Sequence, residues 1–240
     1  MSINIRSAIF WLTVFAAAFG IVEGSVVVYL RKIYYPGQMA LFPLKTFDPA
    51  IYLVELIREA ATLFMLYAVA AAVFQKRMLR FAGFIWNFAV WDLVYYLLLK
   101  LTLGWPANFF EWDVLFLIPV VWASPMVAPV ICSVTMLCLA GLIFFYSSKN
   151  YSVKFSRLHL WLFLIGSLFI LASYVQDYVS LAFSTASEKL QEAVAQFIPQ
   201  SFNWLLFCLG EGVILFAIWD LMKKIQGGKF NLSVRSHQQM

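Results

Sequence analysis

Residues 55–74 read ELIREAATLFMLYAVAAAVF. Two carboxylic acids and an arginine stand at one end, and everything after Glu59 is uncharged. A bilayer core takes about 20 mostly apolar residues to cross as a helix. An apolar run of this length, with its ionisable groups gathered at one end, is a transmembrane helix whose polar cluster lies towards one face of the membrane. That reading decides the fold.

The rest of the chain agrees with it. Of 240 residues 63% are hydrophobic and only 12% charged, and the mean hydropathy is +0.84. A soluble domain averages about 45–50% apolar and roughly 25% charged residues, so the solvent for this chain is a lipid bilayer. Six segments are long and apolar enough to span: 8–30, 50–74, 81–103, 113–146, 158–183 and 202–222. They are continuous rather than alternating, and an open sheet in lipid would leave backbone groups unpaired. The expected fold is therefore all-α, a polytopic integral membrane protein forming one domain over 1–240, with a tail at 223–240. The first segment starts like a signal peptide but stays apolar too long for one, so it reads as a retained anchor.

The fourth segment is unusual. At 1.5 Å per residue its 34 residues would make about 51 Å of helix, against a hydrocarbon core of about 30 Å. Pro119, Pro125 and Pro129 fall in its first half, and a proline inside a helix removes a hydrogen bond and clashes with the preceding turn. A proline-broken helix is expected there, its first turns at the interface.

Orientation follows from the basic residues. With the N-terminus in the cytoplasm, Arg6, QKRMLR, SSKNYSVKFSR and the tail place 11 of the 17 bases inside. Both termini are then cytoplasmic, and the basic pI of about 9.1 reflects loops lying on anionic lipid, with no need for a nucleic-acid partner. Thr185 and Glu188 make a capping box for an amphipathic surface helix at 185–197. The apolar connection at 31–49 is expected to dip into the interface.

Depth can now be assigned. Glu23, Glu55, Arg58, Glu59, Asp92, Asp113, Asp177 and Glu211 fall between mid-membrane and the outer surface, and only Asp220 belongs to the inner side. A charge at bilayer depth costs roughly 2.5–3.5 kcal/mol on insertion scales, so these groups should face inward, pair, or take up protons. Glu55 and Glu59 are spaced i, i+4 with Arg58 between them, an acid–base–acid cluster on one face. Asp92, Tyr96 and Lys100 make a second stripe at intervals of four. The ten residues Glu23, Glu55, Arg58, Glu59, Asp92, Tyr96, Lys100, Asp113, Asp177 and Glu211 are the candidate binding or proton-relay groups of an outward-facing polar chamber.

His159 and His237 are the only histidines, and both lie on the inner side. Neither can join the outer acids, which argues against histidine-based metal or haem sites and a Ser-His-Asp triad. No cofactor or metal is implied. Cys132, Cys138 and Cys208 lie in apolar runs without a C-x-x-C and read as small buried apolar residues.

The stretches VEGSVVVYLRKIYYPG, VELIREAATL, VWDLVYYLLLK and WDVLFLIPV together resemble a family of bacterial polytopic inner-membrane proteins without assigned activity. The resemblance covers about the first 130 residues and implies a bacterial inner membrane but no mechanism. FEWDVLFLIP (110–119) also resembles the P-x-E-E-x-x-F-F stretch of membrane lycopene cyclases, with Glu111 and Asp113 near the paired acids. Trp112 separates the two acids here, and Pro106 lies too far upstream.

Three functions fit these residues. One is a small proton-coupled transporter or permease for a small solute. The second is an intramembrane enzyme acting on an anionic lipid or an isoprenoid. The third is a structural subunit of a larger membrane complex.

Overall fold

The computed structural model describes residues 4–37, 40–45, 48–118, 120–185 and 190–237, with the side chains of 190–192 and 227–237 outside that description. The elements run α1 (Ile5–Tyr34), α2 (Pro49–Val73), α3 (Arg77–Leu103), β1 (Trp112–Phe116), β2 (Trp122–Pro125), α4 (Val127–Ser148), α5 (Arg157–Ser184), α6 (Leu190–Gln196) and α7 (Trp204–His237). Six of the helices are long and apolar enough to cross a membrane. The chain is an all-α polytopic membrane protein. Large apolar side chains such as Trp11, Phe64, Leu101, Phe183 and Leu205 stand on its outer surface, as lipid rather than water requires.

Local chemistry fixes where the helices start and stop. The Asp48 carboxylate accepts from the N–H of Ala50 at 2.8 Å, and Pro49 opens α2 where a missing N–H costs nothing. Ser156 and His159 form a capping box at the start of α5. Gly104 ends α3 in the left-handed conformation, φ 71°, where a side chain would be strained.

The fourth segment breaks more sharply than expected. Residues 112–125 are not helical turns but an antiparallel hairpin, pairing Trp112 with Pro125, Asp113 with Ser124 and Val114 with Ala123. The helix begins only at Val127 and is 22 residues long, about 33 Å, enough for one crossing. Pro129 sits in its first turn, where no intrahelical bond is lost. Pro125 closes the second strand, and Pro119 lies outside the described residues. Of the amphipathic helix expected at 185–197, only Leu190–Gln196 is a described helix; Glu188 and Lys189 lie outside the described residues.

The bundle has two groups of helices. α3 is central to the first, packing against α1, α2 and α4, while α5 packs mainly against α7. Close backbone approach holds both groups together. A Cβ on Gly20 would lie 2.7 Å from the carbonyl oxygen of Trp91, and one on Gly24 would lie 2.8 Å from Leu98. Gly20 and Gly24 form a G-x-x-x-G in α1, which corrects the expectation that no span carries this pairing motif. Gly166 of α5 and Gly210 of α7 face each other in the same way.

The ends of the bundle differ. At the end bearing both termini, a cluster including Leu12, Phe74, Ile143, Phe144 and Leu221 joins the two groups, and Gln226 donates to the Tyr146 hydroxyl at 3.2 Å. The opposite end carries the hairpin and is hollow.

Candidate functional site

The cluster that opens α2 is built as its spacing demands. Arg58 donates through Nε and Nη2 to one oxygen of Glu55, at 3.0 and 2.7 Å, and Nη1 pairs with Glu23 of α1. Thr62, one turn further along α2, donates to Glu23 at 3.3 Å. Arg58 is thus neutralised by two acids, both nearly closed to solvent.

Glu59 does something different. Its carboxylate accepts the backbone N–H of Leu117, just beyond β1. A two-stranded sheet has two open edges, and at membrane depth each unpaired donor must find a partner. Glu59 supplies one. Asp113, inside β1, accepts from the Tyr96 hydroxyl at 3.0 Å and pairs with Arg31 at 3.4 Å. The Arg31 guanidinium also stacks 3.8 Å over the Trp105 ring. Beside it, Tyr35 accepts the N–H of Lys45 at 2.7 Å, and burial raises its phenol above its ordinary value.

Deeper in the bundle, Ser133 donates to Asp92 at 2.7 Å and Thr135 donates to Glu211 at 3.0 Å. Two residues on a helix are separated by about 200°, so these hydroxyls leave opposite flanks of α4, one towards α3 and one towards α7. Cys132 Sγ and the Tyr174 hydroxyl are 3.3 Å apart and lie within electrostatic reach of both acids.

Two cavities surround these groups. The inner one, about 610 Å³, lies between the two helix groups, lined by Glu23, Arg58, Glu59, Asp92, Asp113 and Glu211 and by a largely apolar and aromatic wall. The second, about 630 Å³, lies under the segments at the hairpin end, with Arg31, Tyr35, Lys45, Tyr52, Glu55 and Tyr178 in its wall. Val27, Arg58, Glu59, Tyr95, Asp113 and Val114 line both, so the cavities adjoin at a polar waist. Each has the size of a small-molecule site, about 300–1,000 Å³.

Eight of the ten candidates from the sequence meet around these cavities. Lys100 does not: its ammonium donates to the carbonyls of Gly104 and Pro106, at 3.2 and 2.7 Å, and pins the turn after α3. Asp177 is half-buried on α5 but lines neither cavity and has no partner among the described residues. Glu111 accepts from the N–H of Ala107 in an exposed turn, far in role from Asp113. Arg31, Thr62, Ser133, Thr135, Trp91, Trp122 and Tyr174 belong to the site and are not among the ten. A hydroxyl in an apolar span was the available signal for four of them. His159 bonds Asp220 at 2.9 Å at the terminal end, apart from the cavities. Cys138 and Cys208 are exposed on the apolar surface rather than buried, and Cys132 is half-buried.

Among the described residues no three His, Cys, Asp or Glu side chains converge as a metal ligand set. Chemically, the arrangement can bind a small molecule, exchange protons with it, or hold its polar end. Comparison with family models, with curated proteins and with solved structures finds no match.

Proposed function

We propose that the chain is a small proton-coupled transporter or permease of a bacterial inner membrane, with the hairpin end outward and both termini cytoplasmic. One observation carries this reading: the acid-lined cavity lies between two helix groups that pack directly on each other at the terminal end and are bridged at the other by the hairpin, whose Trp112 and Trp122 pack against Phe202 and Tyr174. A cavity between two such groups suits a carrier in which the α5–α7 pair rocks against α1–α4 about a fixed site, with the hairpin as its outer cover. The carboxyls on the moving boundary, Asp92 and Glu211, are then the proton carriers, and Glu59 reports hairpin position.

Purified chain reconstituted in liposomes should move protons when a solute gradient is imposed, and Glu59→Gln should alter the rate. A short bifunctional maleimide linking Tyr146→Cys to Gln226→Cys, which ties the terminal end shut, should stop it. Flux equal to that of empty liposomes across a broad solute panel overturns the reading.

The mostly apolar inner wall favours a second reading, an enzyme acting on an isoprenoid or lipid held there, with Asp92 or Glu211 as general acid. An altered lipid profile in a strain lacking the gene, with no flux in liposomes, would decide for it.

A further inference from the structure

The inner cavity holds more negative groups than its bases can balance. Arg58 is taken by Glu23 and Glu55, and Arg31 by Asp113. Asp92 and Glu211 are left with hydrogen bonds from neutral donors only, Ser133 and Thr135, whereas Glu59 has the adjacent Arg58 within electrostatic reach. An ionised carboxylate without a counter-charge is costly in low dielectric. Asp92 and Glu211 therefore each carry a proton or face a positive guest.

The wall around them selects the kind of guest. Trp91, Tyr95, Trp122 and Tyr174 line the same space, and aromatic rings attract desolvated cations. A hydrated metal ion would find no convergent ligand set there among the described residues, whereas an apolar cation would bury its surface against the rings. The indole N–H groups supply a further, independent feature. Trp91 is 6% exposed, and among the described residues neither its Nε1 nor that of Trp122 has a partner. A buried donor without an acceptor costs about 1–3 kcal/mol, which a guest bearing an oxygen acceptor would recover.

We propose that the inner cavity binds a lipophilic organic cation carrying a hydrogen-bond acceptor, with Asp92 and Glu211 as its counter-ions, and that it does so in exchange for protons. This rests on the transporter reading for its purpose but not for its chemistry. The charge balances: with the cation bound Asp92 and Glu211 share one negative charge, so one of the two carboxylic acids gives its proton to water as the cation enters while the other keeps its own, and the net charge of the site is unchanged. Other titratable groups share the wall with Asp92. They are Glu23 from α1, Arg58 and Glu59 from α2, Tyr95 and Tyr96 from α3, Asp113 from the hairpin, and Cys132 and Tyr174 from α4 and α5. Of these only Arg58 is cationic, and it is already paired.

The test is calorimetric binding to the full chain in detergent, with proton release read by a pH dye in weak buffer. The probes are methoxymethyltriphenylphosphonium, propyltriphenylphosphonium, which lacks the ether oxygen, and neutral triphenylphosphine oxide. The ether-bearing cation should bind tightest, release about one proton, and gain about tenfold in affinity per pH unit while the acid titrates. Asp92→Asn and Glu211→Gln should each weaken it on the order of tenfold or more, as loss of a close charge pair does. Trp91→Phe should abolish the preference for the ether. If a variant does not elute as folded protein, proton release from the unmodified chain decides alone.

Binding of the neutral oxide as tightly as the cations, or affinity independent of pH, overturns the proposal. Cation binding with proton release but no uptake into liposomes sinks the transporter reading and keeps this one. Proton-coupled uptake of other solutes, with no phosphonium binding, does the reverse.

Discussion

The backbone N–H of Leu117 donates to both carboxylate oxygens of Glu59, at 2.9 and 3.1 Å, so one side chain joins a membrane helix to the tip of a β-hairpin. The hairpin wall of both cavities depends on this link. Glu59→Ala orphans the amide and should cost about 1–3 kcal/mol of stability, whereas Glu59→Gln keeps an acceptor and should cost less than about 1 kcal/mol. Thermal unfolding in detergent, with deuterium exchange across 112–118, measures the difference. Equal losses in the two variants would mean that the link does not hold the strand.

Arg58 is the shared partner of Glu23 and Glu55. Arg58→Met leaves two buried acids without a base and should destabilise by about 3–5 kcal/mol. Adding Glu23→Gln and Glu55→Gln to it removes the stranded charges and should restore most of the loss. If the triple variant is no better than Arg58→Met alone, the cost lies in packing of the arginine stem rather than in charge.

Four glycines give an internal comparison. A Cβ on Gly166 would lie 2.8 Å from the Gly210 carbonyl, and one on Gly210 would lie 2.7 Å from the Gly166 carbonyl, while Gly141 and Gly212 have nothing within 4 Å. Gly166→Ala and Gly210→Ala must push α5 and α7 apart and should cost about 1–3 kcal/mol. Gly141→Ala and Gly212→Ala should be neutral or stabilising by up to about 1 kcal/mol. Melting temperatures of the four variants settle the order.

Orientation can be checked by cysteine labelling in a chain whose three native cysteines are serine. Asn108→Cys, in the exposed turn after α3, should react with a membrane-impermeant maleimide added to intact cells. Ser152→Cys, in the exposed α4–α5 connection, should react only after permeabilisation. The opposite pattern inverts the topology and places the hollow end in the cytoplasm.

Six spans were legible because little besides a membrane crossing calls for unbroken apolar sequence over about 20 residues. The meeting of Glu23 with Arg58 was legible from depth, since an ion in lipid must find company. Two things were not. The hairpin at 112–125 follows from tertiary context: its exposed backbone is tolerable only because Glu59 and the surrounding helices satisfy it, and Glu59 is 58 positions from the amide it accepts. Lys100 misled because helical spacing placed it on the Asp92–Tyr96 stripe, whereas the turn ended by Gly104 offered it nearby carbonyls that a long side chain reaches more easily than a distant acid. Ser133 and Thr135 were passed over because a hydroxyl carries no charge, yet each holds one of the two innermost carboxyls.

Every ion pair among the described residues closes within one side of the molecule: Glu23, Arg58 and Glu55 with each other, Arg31 with Asp113, and Asp220 with His159 and Lys224. What joins α1–α4 to α5–α7 is greasy contact and a few uncharged hydrogen bonds. The seam is therefore lubricated rather than clasped. A chain severed in the exposed connection near Ser152 should yield two pieces that each keep their ion pairs whole, able to enter the bilayer separately and then find each other.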